Sequence, residues 1–415
     1  MNVNDIKPEV YELAHQAEAE IRPQFERIDR IAMINTRKVM TAFQDNRVSD
    51  SCFAGTSGYG YDDVGREVLD KVYAQVFCTE AALVRIGFVN GTHALSAALF
   101  AMLKPGDTLL SVTGLPYDTL RNAIGIEGEC HGSLKFYGIN YKQVDLRDGE
   151  PDIEAIKAAL SDKSVAAVLI QRSRGYENRR ALSSEEIGDI CAAVKSVSPN
   201  ATVMVDNCYG EFTGEHEPTE FGVDLMAGSL IKNPGGGLAP TGGYIVGRKD
   251  LVENAAMRLT TPGIGGECGA TLGNNRLLFQ GFFMAPHIVA QSVKTMTFCS
   301  AMMKKIGFES SPSPEEVRND IIQMVTLKNS DNMKKFCRGV QAGAPVDSYV
   351  TPEPWQMPGY NVPVIMAAGA FVQGSSIELS ADGPMREPYT LYVQGGITYE
   401  SGKLGIMMAV NEMLS

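Results

Sequence analysis

The amino-acid sequence predicts an α/β protein in which a large domain built on a mostly parallel sheet precedes a smaller C-terminal α/β domain. Between about residues 64 and 260, short apolar runs alternate with helical patterns. Runs such as Val-Ala-Ala-Val-Leu-Ile at 165–170 are continuous rather than alternating, which is typical of strands buried on both faces of a parallel sheet. After about residue 286 the order of the patterns changes, and 415 residues leave room for a second domain.

The elements follow in order along the chain. Residues 1–49 are predicted to form an N-terminal helical arm, because apolar residues recur every three or four positions there. Residues 50–285 are assigned to the large domain and residues 286–415 to the smaller one. In the large domain the predicted strands are 108–112, 165–171, 202–206, 225–231 and 244–246, and the predicted helices are 92–104, 151–161 and 183–197.

Composition narrows the class of protein. Apolar residues make up 44% of the chain and charged residues 21%, which is an ordinary globular balance. The net charge of −12 argues against general binding to nucleic acids or anionic membranes. No membrane-spanning run and no signal sequence is evident, so we expect a cytoplasmic protein. The cysteines are scattered singly, which argues against a metal site such as zinc and against disulfides.

The most informative residue is Lys232, which follows an apolar run and precedes the glycine-rich turn 233–237. Asp206 ends another apolar run, Thr-Val-Met-Val-Asp. Because ligands of open α/β sheets sit beyond the carboxyl ends of strands, both side chains are placed for a binding site. The pair indicates pyridoxal phosphate, with Lys232 forming the imine and Asp206 pairing with the ring nitrogen. The alternative is an ordinary surface lysine and a turn aspartate.

Other residues complete this prediction of a cofactor site. Gly91 and Thr92 open a helix, and a glycine turn that feeds a helix presents free N–H groups and the positive dipole end to a phosphate. Ser229 reaches the same phosphate if the chain bends there, which neighbouring Gly228 permits. Tyr117 follows an apolar run in a loop and is the candidate to stack on the pyridine ring. Helix capping by Thr92, a backbone-bonded serine and a surface tyrosine are the alternatives.

These residues together resemble the fold-type I pyridoxal-phosphate enzymes of the cystathionine and methionine lyase group. More closely, the chain resembles the methionine gamma-lyase-related, or aluminium-resistance, proteins. The resemblance covers nearly the whole length, and so many matches in order make it specific. The segments that carry it are 57–67, 91–94, 171–176, 205–212 and 229–237.

The resemblance implies a role for each candidate. It makes Lys232 and Tyr117 the catalytic residues of a fold-type I, transferase-like domain. It implies that the cofactor is held by Lys232, Asp206, Gly91, Thr92, Ser229 and Tyr117. In the wider group a tyrosine and an arginine of a neighbouring subunit also reach the phosphate, and the matching loop here contains Tyr59, Tyr61 and Arg66. This implies a site shared by two subunits and a homotetramer built from such dimers.

The chain departs from the wider group near its C-terminus. That group usually has an Arg-x-Ser-x-Gly-x-Glu run whose arginine binds the substrate carboxylate, but this chain has no arginine in 374–380. Arg386 is the nearest replacement, and Arg172, Arg174 and Arg179 are rivals that follow a predicted strand. A guanidinium suits bidentate binding of a carboxylate. The departure leaves the substrate, rather than the cofactor, open.

The reaction implied is β- or γ-elimination by an amino-acid carbon–sulfur lyase, which gives a thiol, a 2-oxo acid and ammonia. Lys232 is expected to remove the α-proton of the substrate, with its pKa lowered by burial and by the cationic cofactor. Two alternatives stay open. One is another pyridoxal-phosphate reaction on an amino acid, such as aldol cleavage, transamination or decarboxylation. The other is a non-enzymatic cofactor-binding or metal-resistance protein.

Overall fold

The structure, a computed structural model, describes residues 2–128, 130–356 and 362–415. It divides into two compact units, residues 36–283 and residues 1–35 together with 284–415. The chain begins with helices α1 (Pro8–Glu20) and α2 (Arg22–Asp45). The N-terminal helical segment is thus divided between the units near residue 35, because Val10, Ala14 and Ala17 pack into the same apolar core as the C-terminal helices.

The unit formed by residues 36–283 alternates helices and strands. After α2, its elements are α3 (Val64–Val76), β1 (Ala81–Arg85), α4 (Gly91–Met102), β2 (Thr108–Ser111), α5 (Asp118–Ile124), β3 (Asn140–Gln143), α6 (Ile153–Ala159), β4 (Val165–Gln171), α7 (Ser184–Val197), β5 (Thr202–Asp206), β6 (Leu225–Ser229), β7 (Gly243–Gly247) and α8 (Lys249–Leu259). Helix α9 (Asn275–Lys305) begins in this unit and ends in the other.

Seven strands of this unit form one sheet in the order β1-β7-β6-β5-β4-β2-β3. The pairs from β3 to β6 are parallel, while β7 is antiparallel to both β6 and β1. The central strands are buried along nearly their whole length, as the continuous apolar runs indicate. The predicted large, mostly parallel sheet is therefore confirmed.

The other unit has a smaller sheet. Its elements after α9 are β8 (Glu309–Ser311), β9 (Ile322–Thr326), α10 (Ser330–Ala342), β10 (Val364–Ala368), β11 (Ser380–Pro384), β12 (Thr390–Gln394) and α11 (Tyr399–Met413). The sheet is antiparallel in the order β10-β11-β12-β9-β8. Met333, Phe336 and Met407 belong to its buried core. The predicted second α/β domain is confirmed as a fold.

The boundaries of single elements differ from those that the sequence predicts. Strand β6 ends at Ser229 rather than at residue 231, because the chain turns into a short 3-10 helix at Asn233–Gly235. Strands β1 and β3 are absent from the predicted set, since both lie at the edges of the sheet and are less buried than the central strands. In the part of the chain that the structure describes, no helix has the length and apolarity to span a bilayer.

Candidate active site

The candidate site lies at the carboxyl edge of the large sheet. Gln171, Asp206 and Ser229 are the last residues of the neighbouring strands β4, β5 and β6. Gln171 is paired in register with Asp206, and Asp206 with Ala227, so the strand ends lie side by side. This is the edge at which open α/β sheets bind ligands.

Lys232 lies just beyond the end of β6, at the start of the Asn233–Gly235 turn. The glycines that follow are required by the close packing of this turn: a Cβ at Gly235 would lie 1.8 Å from the carbonyl oxygen of Leu230, and Gly236 has a φ of +53°. The Nζ atom of Lys232 lies 3.9 Å from the centre of the Tyr209 ring. The turn thus holds the amine at the sheet edge.

The pKa of Lys232 is raised in the protein without a bound cofactor. Burial favours the neutral amine and lowers the pKa, but the neighbouring groups more than offset this effect. Those that raise it are Cys208, Tyr209, Tyr117 and Asp206. The lowered pKa that the sequence argument expects therefore does not arise from burial alone, because an acid and several polar side chains surround the amine.

Asp206 is buried at the end of β5 with 7% of its surface exposed. Its Oδ1 accepts a hydrogen bond of 3.1 Å from the backbone N–H of Cys208. Burial raises the pKa of the Asp206 carboxyl, and the positive charge of Lys232 opposes that shift. A buried carboxylate has lost its hydration and is stabilised by a cationic partner, and a protonated ring nitrogen would be such a partner.

An anion cradle lies between α4 and β6. Helix α4 begins at Gly91, and its first turn is capped by Asn90, whose side chain accepts a 2.8 Å hydrogen bond from His93 N–H. Ser229 is 1% exposed, and within the described residues its hydroxyl has no hydrogen-bond partner. A Cβ at Gly91 would lie 3.1 Å from Ser229 Cβ, so the two residues are adjacent. A buried hydroxyl without a partner beside a helix N-terminus fits a phosphate group.

Thr92 and Gly228, the chain neighbours of Gly91 and Ser229, make contacts that the sequence does not predict. The hydroxyl of Thr92 forms a 2.7 Å hydrogen bond with that of Thr119. Gly228 lies inside β6 rather than at a bend, and a Cβ there would be 2.6 Å from the Tyr244 ring and 2.7 Å from Glu211 Oε1. Gly228 therefore makes room for a buried pair of side chains, and the chain bends only after Ser229.

Tyr117 is positioned by the end of a neighbouring strand. Its backbone N–H donates a 2.9 Å hydrogen bond to the side-chain oxygen of Gln171. Its ring packs against Tyr176, with 5.8 Å between ring centres, and a Cβ at Gly175 would lie 3.3 Å from it. No role is predicted for Gln171 from the sequence, although a polar residue that ends a buried apolar run is a signal for one.

The loop with Tyr59, Tyr61 and Arg66 combines exposed rings with a buried guanidinium. Tyr59 is 78% and Tyr61 55% exposed, and their ring centres lie 5.9 Å apart. Arg66 is only 2% exposed, and it donates to the carbonyl oxygens of Gly269 and Glu267 and of the loop itself. The expectation that Arg66 reaches a neighbouring subunit is at odds with this geometry, because its guanidinium joins two loops of its own chain.

Arg172 is likewise a structural residue in this geometry. It is 1% exposed, and its guanidinium donates to Asn207 Oδ1 over 2.8 Å and lies 3.4 Å from Glu217 Oε2. Further bonds run to the Leu182 carbonyl and to Thr213. The structure therefore does not support Arg172 as a ligand of the substrate carboxylate, because its donors are used inside the protein.

The other arginine candidate, Arg386, belongs to the second unit. It is exposed in the turn between β11 and β12, where its backbone N–H donates a 2.8 Å hydrogen bond to the Pro384 carbonyl. Of its rivals, Arg174 is fully buried, and Arg179 donates 2.9 Å to the Gln171 carbonyl. The role of Arg386 as a substrate ligand stays a prediction.

Tyr209, Glu211 and Phe212 follow Asp206 in the chain and have structural features that the sequence does not reveal. Tyr209 has a φ of +75° and Phe212 a φ of +63°, and a left-handed conformation costs a bulky residue roughly 1–2 kcal/mol. Glu211 is fully buried, and burial raises its pKa to about 8. The only available signal was position, since all three lie three to six residues after the strand-end acid Asp206.

The chain has the fold of the fold-type I pyridoxal-phosphate-dependent enzymes. A lysine, a buried acid and an anion cradle meet at the carboxyl ends of adjacent parallel strands. The Ser229 hydroxyl, which has no partner among the residues described, and the buried Asp206 carboxyl are groups that a phosphate and a cationic ring would satisfy. The residues present thus fit the cofactor.

The chain belongs to the methionine gamma-lyase family, whose family model matches residues 10–414, and it is an enzyme of the lyase class. Protein YnbB of Bacillus subtilis is 49% identical over 403 residues, which is 97% of this chain and 96% of YnbB. A carbon–sulfur lyase involved in aluminium resistance from Clostridium novyi NT is 52% identical, with a TM-score of 0.94 over 98% of this chain and 96% of that one. A provisionally assigned cystathionine beta-lyase involved in aluminium resistance from Clostridium acetobutylicum is 48% identical, with a TM-score of 0.96 over 99% and 97%.

Proposed function

We propose that this lyase uses pyridoxal phosphate to cleave a carbon–sulfur bond of an amino acid by β- or γ-elimination, releasing a thiol, a 2-oxo acid and ammonia. The proposal rests on Lys232, buried Asp206 and Ser229 lying at one sheet edge, where the Ser229 hydroxyl has no partner in the described part of the chain. Membership of the family and the activity named for the Clostridium novyi relative support the carbon–sulfur specificity.

In this proposal each residue at the sheet edge would bind a different part of the cofactor. Lys232 would form the imine, Asp206 would pair with the ring nitrogen, and Tyr117 would stack on the ring. The phosphate would be held by Gly91, Thr92 and Ser229. When bound, pyridoxal phosphate supplies an electron sink that stabilises negative charge at the substrate α-carbon.

The side chains of the protein supply the proton chemistry. The Nζ atom of Lys232, once released, takes the α-proton of the substrate as general base. The groups around Lys232 raise its pKa and therefore stabilise the ammonium that results from this transfer. Asp206 keeps a proton on its partner by remaining a carboxylate beside a positive charge. Each of these tasks needs a fixed geometry, which the buried strand ends provide.

The substrate carboxylate calls for a guanidinium. We propose Arg386, with the buried Arg174 and Arg179 as the competing candidates. Replacement of the correct arginine by methionine should raise KM for the amino acid by about tenfold to hundredfold while leaving cofactor affinity unchanged. Steady-state kinetics of R386M, R174M and R179M distinguish the three.

We also propose that the active site is shared between subunits of a homotetramer. The exposed rings of Tyr59 and Tyr61 support this, since adjacent exposed aromatic rings are typical of protein contact surfaces. The double variant Y59S/Y61S should weaken both assembly, measured by analytical ultracentrifugation, and cofactor affinity. Y349S is the matched control, because Tyr349 is 86% exposed in the other unit. A tetramer with unchanged cofactor affinity in the double variant would contradict the shared site.

The central experiment follows the imine. The purified protein with pyridoxal phosphate should show a visible absorbance band that borohydride removes, and mass spectrometry should then find the reduced cofactor on Lys232. K232A should lose the band and the turnover, whereas K249A should keep both, because Lys249 is an exposed residue of α8. Products from a panel of sulfur amino acids test the reaction type. Amino-group transfer without release of thiol would replace the lyase assignment with another pyridoxal-phosphate reaction.

A further inference from the structure

The ring of Tyr209 is placed against Lys232 by an unusual backbone conformation. The Nζ atom lies 3.9 Å from the ring centre, well within the range of a cation–π contact. Tyr209 has a φ of +75°, in the left-handed region that bulky residues rarely adopt. Such a conformation persists only where the surrounding structure enforces it, and it is enriched at functional sites.

Buried hydrogen bonds on both sides of Tyr209 enforce this conformation. On one side, Asn207 accepts a 2.8 Å hydrogen bond from Arg172 and donates one of 3.2 Å to Glu217. On the other side, Glu217 Oε1 accepts a 2.7 Å hydrogen bond from the backbone N–H of Phe212. The Arg172–Asn207–Glu217 network therefore fixes both ends of the short segment that carries the Tyr209 ring.

The residue next to Tyr209 admits no side chain. A Cβ at Gly210 would lie 2.5 Å from Arg172 Cδ, so the guanidinium stem packs directly on the backbone. The carbonyl of Gly210 accepts a 2.7 Å hydrogen bond from the Thr213 hydroxyl. Backbone and network are thus packed together around one turn, which leaves the ring of Tyr209 little freedom to move away from the amine.

We propose that Tyr209 is a positioning residue for Lys232, whose ring face holds the amine in place and stabilises its protonated form. This inference rests on the proposed function, in which Lys232 becomes an ammonium when it takes a proton from the substrate. The role of the Arg172–Asn207–Glu217 network is then to keep the ring in place. The phenol hydroxyl is not required, because the ring face alone provides the contact.

Several other groups also act on the amine and must be separated from the ring. The titratable groups that face Lys232 are Asp206, Cys208, Tyr117, Tyr209 and Glu211. Of these, only Asp206 is an anion by default at neutral pH, and the proposed function engages it with the cofactor. The contact of the Tyr209 ring differs from these effects, because a ring face 3.9 Å from Nζ attracts the ammonium without any charge on the tyrosine.

The test measures Lys232 in the full-length protein without cofactor. Competitive trace acetylation over a pH series, read by mass spectrometry, gives the pKa of each lysine. The ring favours the charged form, so its loss must lower the pKa of Lys232. We expect Y209F to match the wild type, and Y209L and Y209N to lower the pKa by about one unit, a tenfold change in the protonation equilibrium. Lys249 is the internal control and should not shift.

The variants separate the ring from the backbone strain. Asparagine tolerates a left-handed conformation, so Y209N removes the ring without the strain of Y209L and remains informative if Y209L fails to fold. An unchanged pKa of Lys232 in Y209N overturns the proposal, and so does an equal drop in Y209F. Borohydride trapping of pyridoxal phosphate on Lys232 in the wild type tests the proposed function separately. Trapping with no pKa shift in Y209N refutes the role of Tyr209 alone.

Discussion

The hydroxyl of Tyr244 donates a 2.7 Å hydrogen bond to Glu211 Oε1, and both side chains are fully buried beside the strand that leads to Lys232. The second carboxyl oxygen, Oε2, has no hydrogen-bond partner in the described parts of the chain. Burial raises the pKa of Glu211 to about 8, and the Tyr244 hydrogen bond only partly opposes this. Glu211 is therefore largely protonated in the folded protein at neutral pH.

The protonated Glu211 predicts a stability that falls as pH rises. Between the ordinary glutamate pKa and about 8, the folded state keeps a proton that the unfolded state has released, so the free energy of unfolding decreases with pH. From pH 5 to pH 8 this effect is on the order of a few kcal/mol. E211Q should lose that part of the pH dependence in urea unfolding, while E154Q, at an exposed site, should retain it. The same slope in E211Q and wild type would contradict the prediction.

The cradle predicts opposite effects of S229A on stability and on cofactor affinity. The buried Ser229 hydroxyl has no partner among the residues described, so its removal should leave the stability of the cofactor-free protein unchanged or slightly higher. Cofactor affinity, measured by absorbance titration, should fall by about tenfold or more, because a hydrogen bond to a charged phosphate is lost. S292A is the control, since the buried Ser292 hydroxyl in α9 also has no partner within the described ranges. Equal affinity in S229A and S292A would exclude Ser229 from the cradle.

The sequence predicts the strand ends that form the site, but it does not predict the side-chain contacts that hold Tyr209 and Arg172 in place. Lys232 and Asp206 end continuous apolar runs, and such runs predict buried parallel strands whose ends share one edge. Tyr209 gives no comparable signal, because the network that holds its ring includes Arg172, which lies 35 positions from Asn207 and 45 from Glu217. For the same reason Arg172 resembles an exposed ligand in the sequence, although its partners Asn207 and Glu217 bury it.

Replacement of Asp206 by asparagine should weaken cofactor binding without unfolding the protein. In D206N the side-chain oxygen can still accept the 3.1 Å hydrogen bond from Cys208 N–H, so the strand end should keep its geometry. The amide cannot supply the negative charge that a protonated ring nitrogen needs, and a charge-assisted bond is replaced by a weaker one. Cofactor affinity should fall by about tenfold to hundredfold, with turnover reduced further. D250N, at an exposed position, should leave both unchanged, and full turnover of D206N would rule out the pairing.

Because Arg172 forms a buried pair with Glu217, R172M should lower the stability of the protein. If Arg172 were instead a substrate ligand, R172M would lower the affinity for substrate. Glu217 is 2% exposed; burial raises the pKa of its carboxyl and Arg172 opposes that shift, so R172M leaves a buried acid without its cation. Removing one partner of such a pair lowers the free energy of unfolding by about 3–5 kcal/mol, a change that urea unfolding measures readily. R180M is the control: Arg180 pairs with Glu186 and Glu150 at a side chain that is 40% exposed, where an ion pair contributes about 1 kcal/mol or less. A stable R172M protein with a raised KM for the amino acid would instead restore Arg172 as the carboxylate ligand.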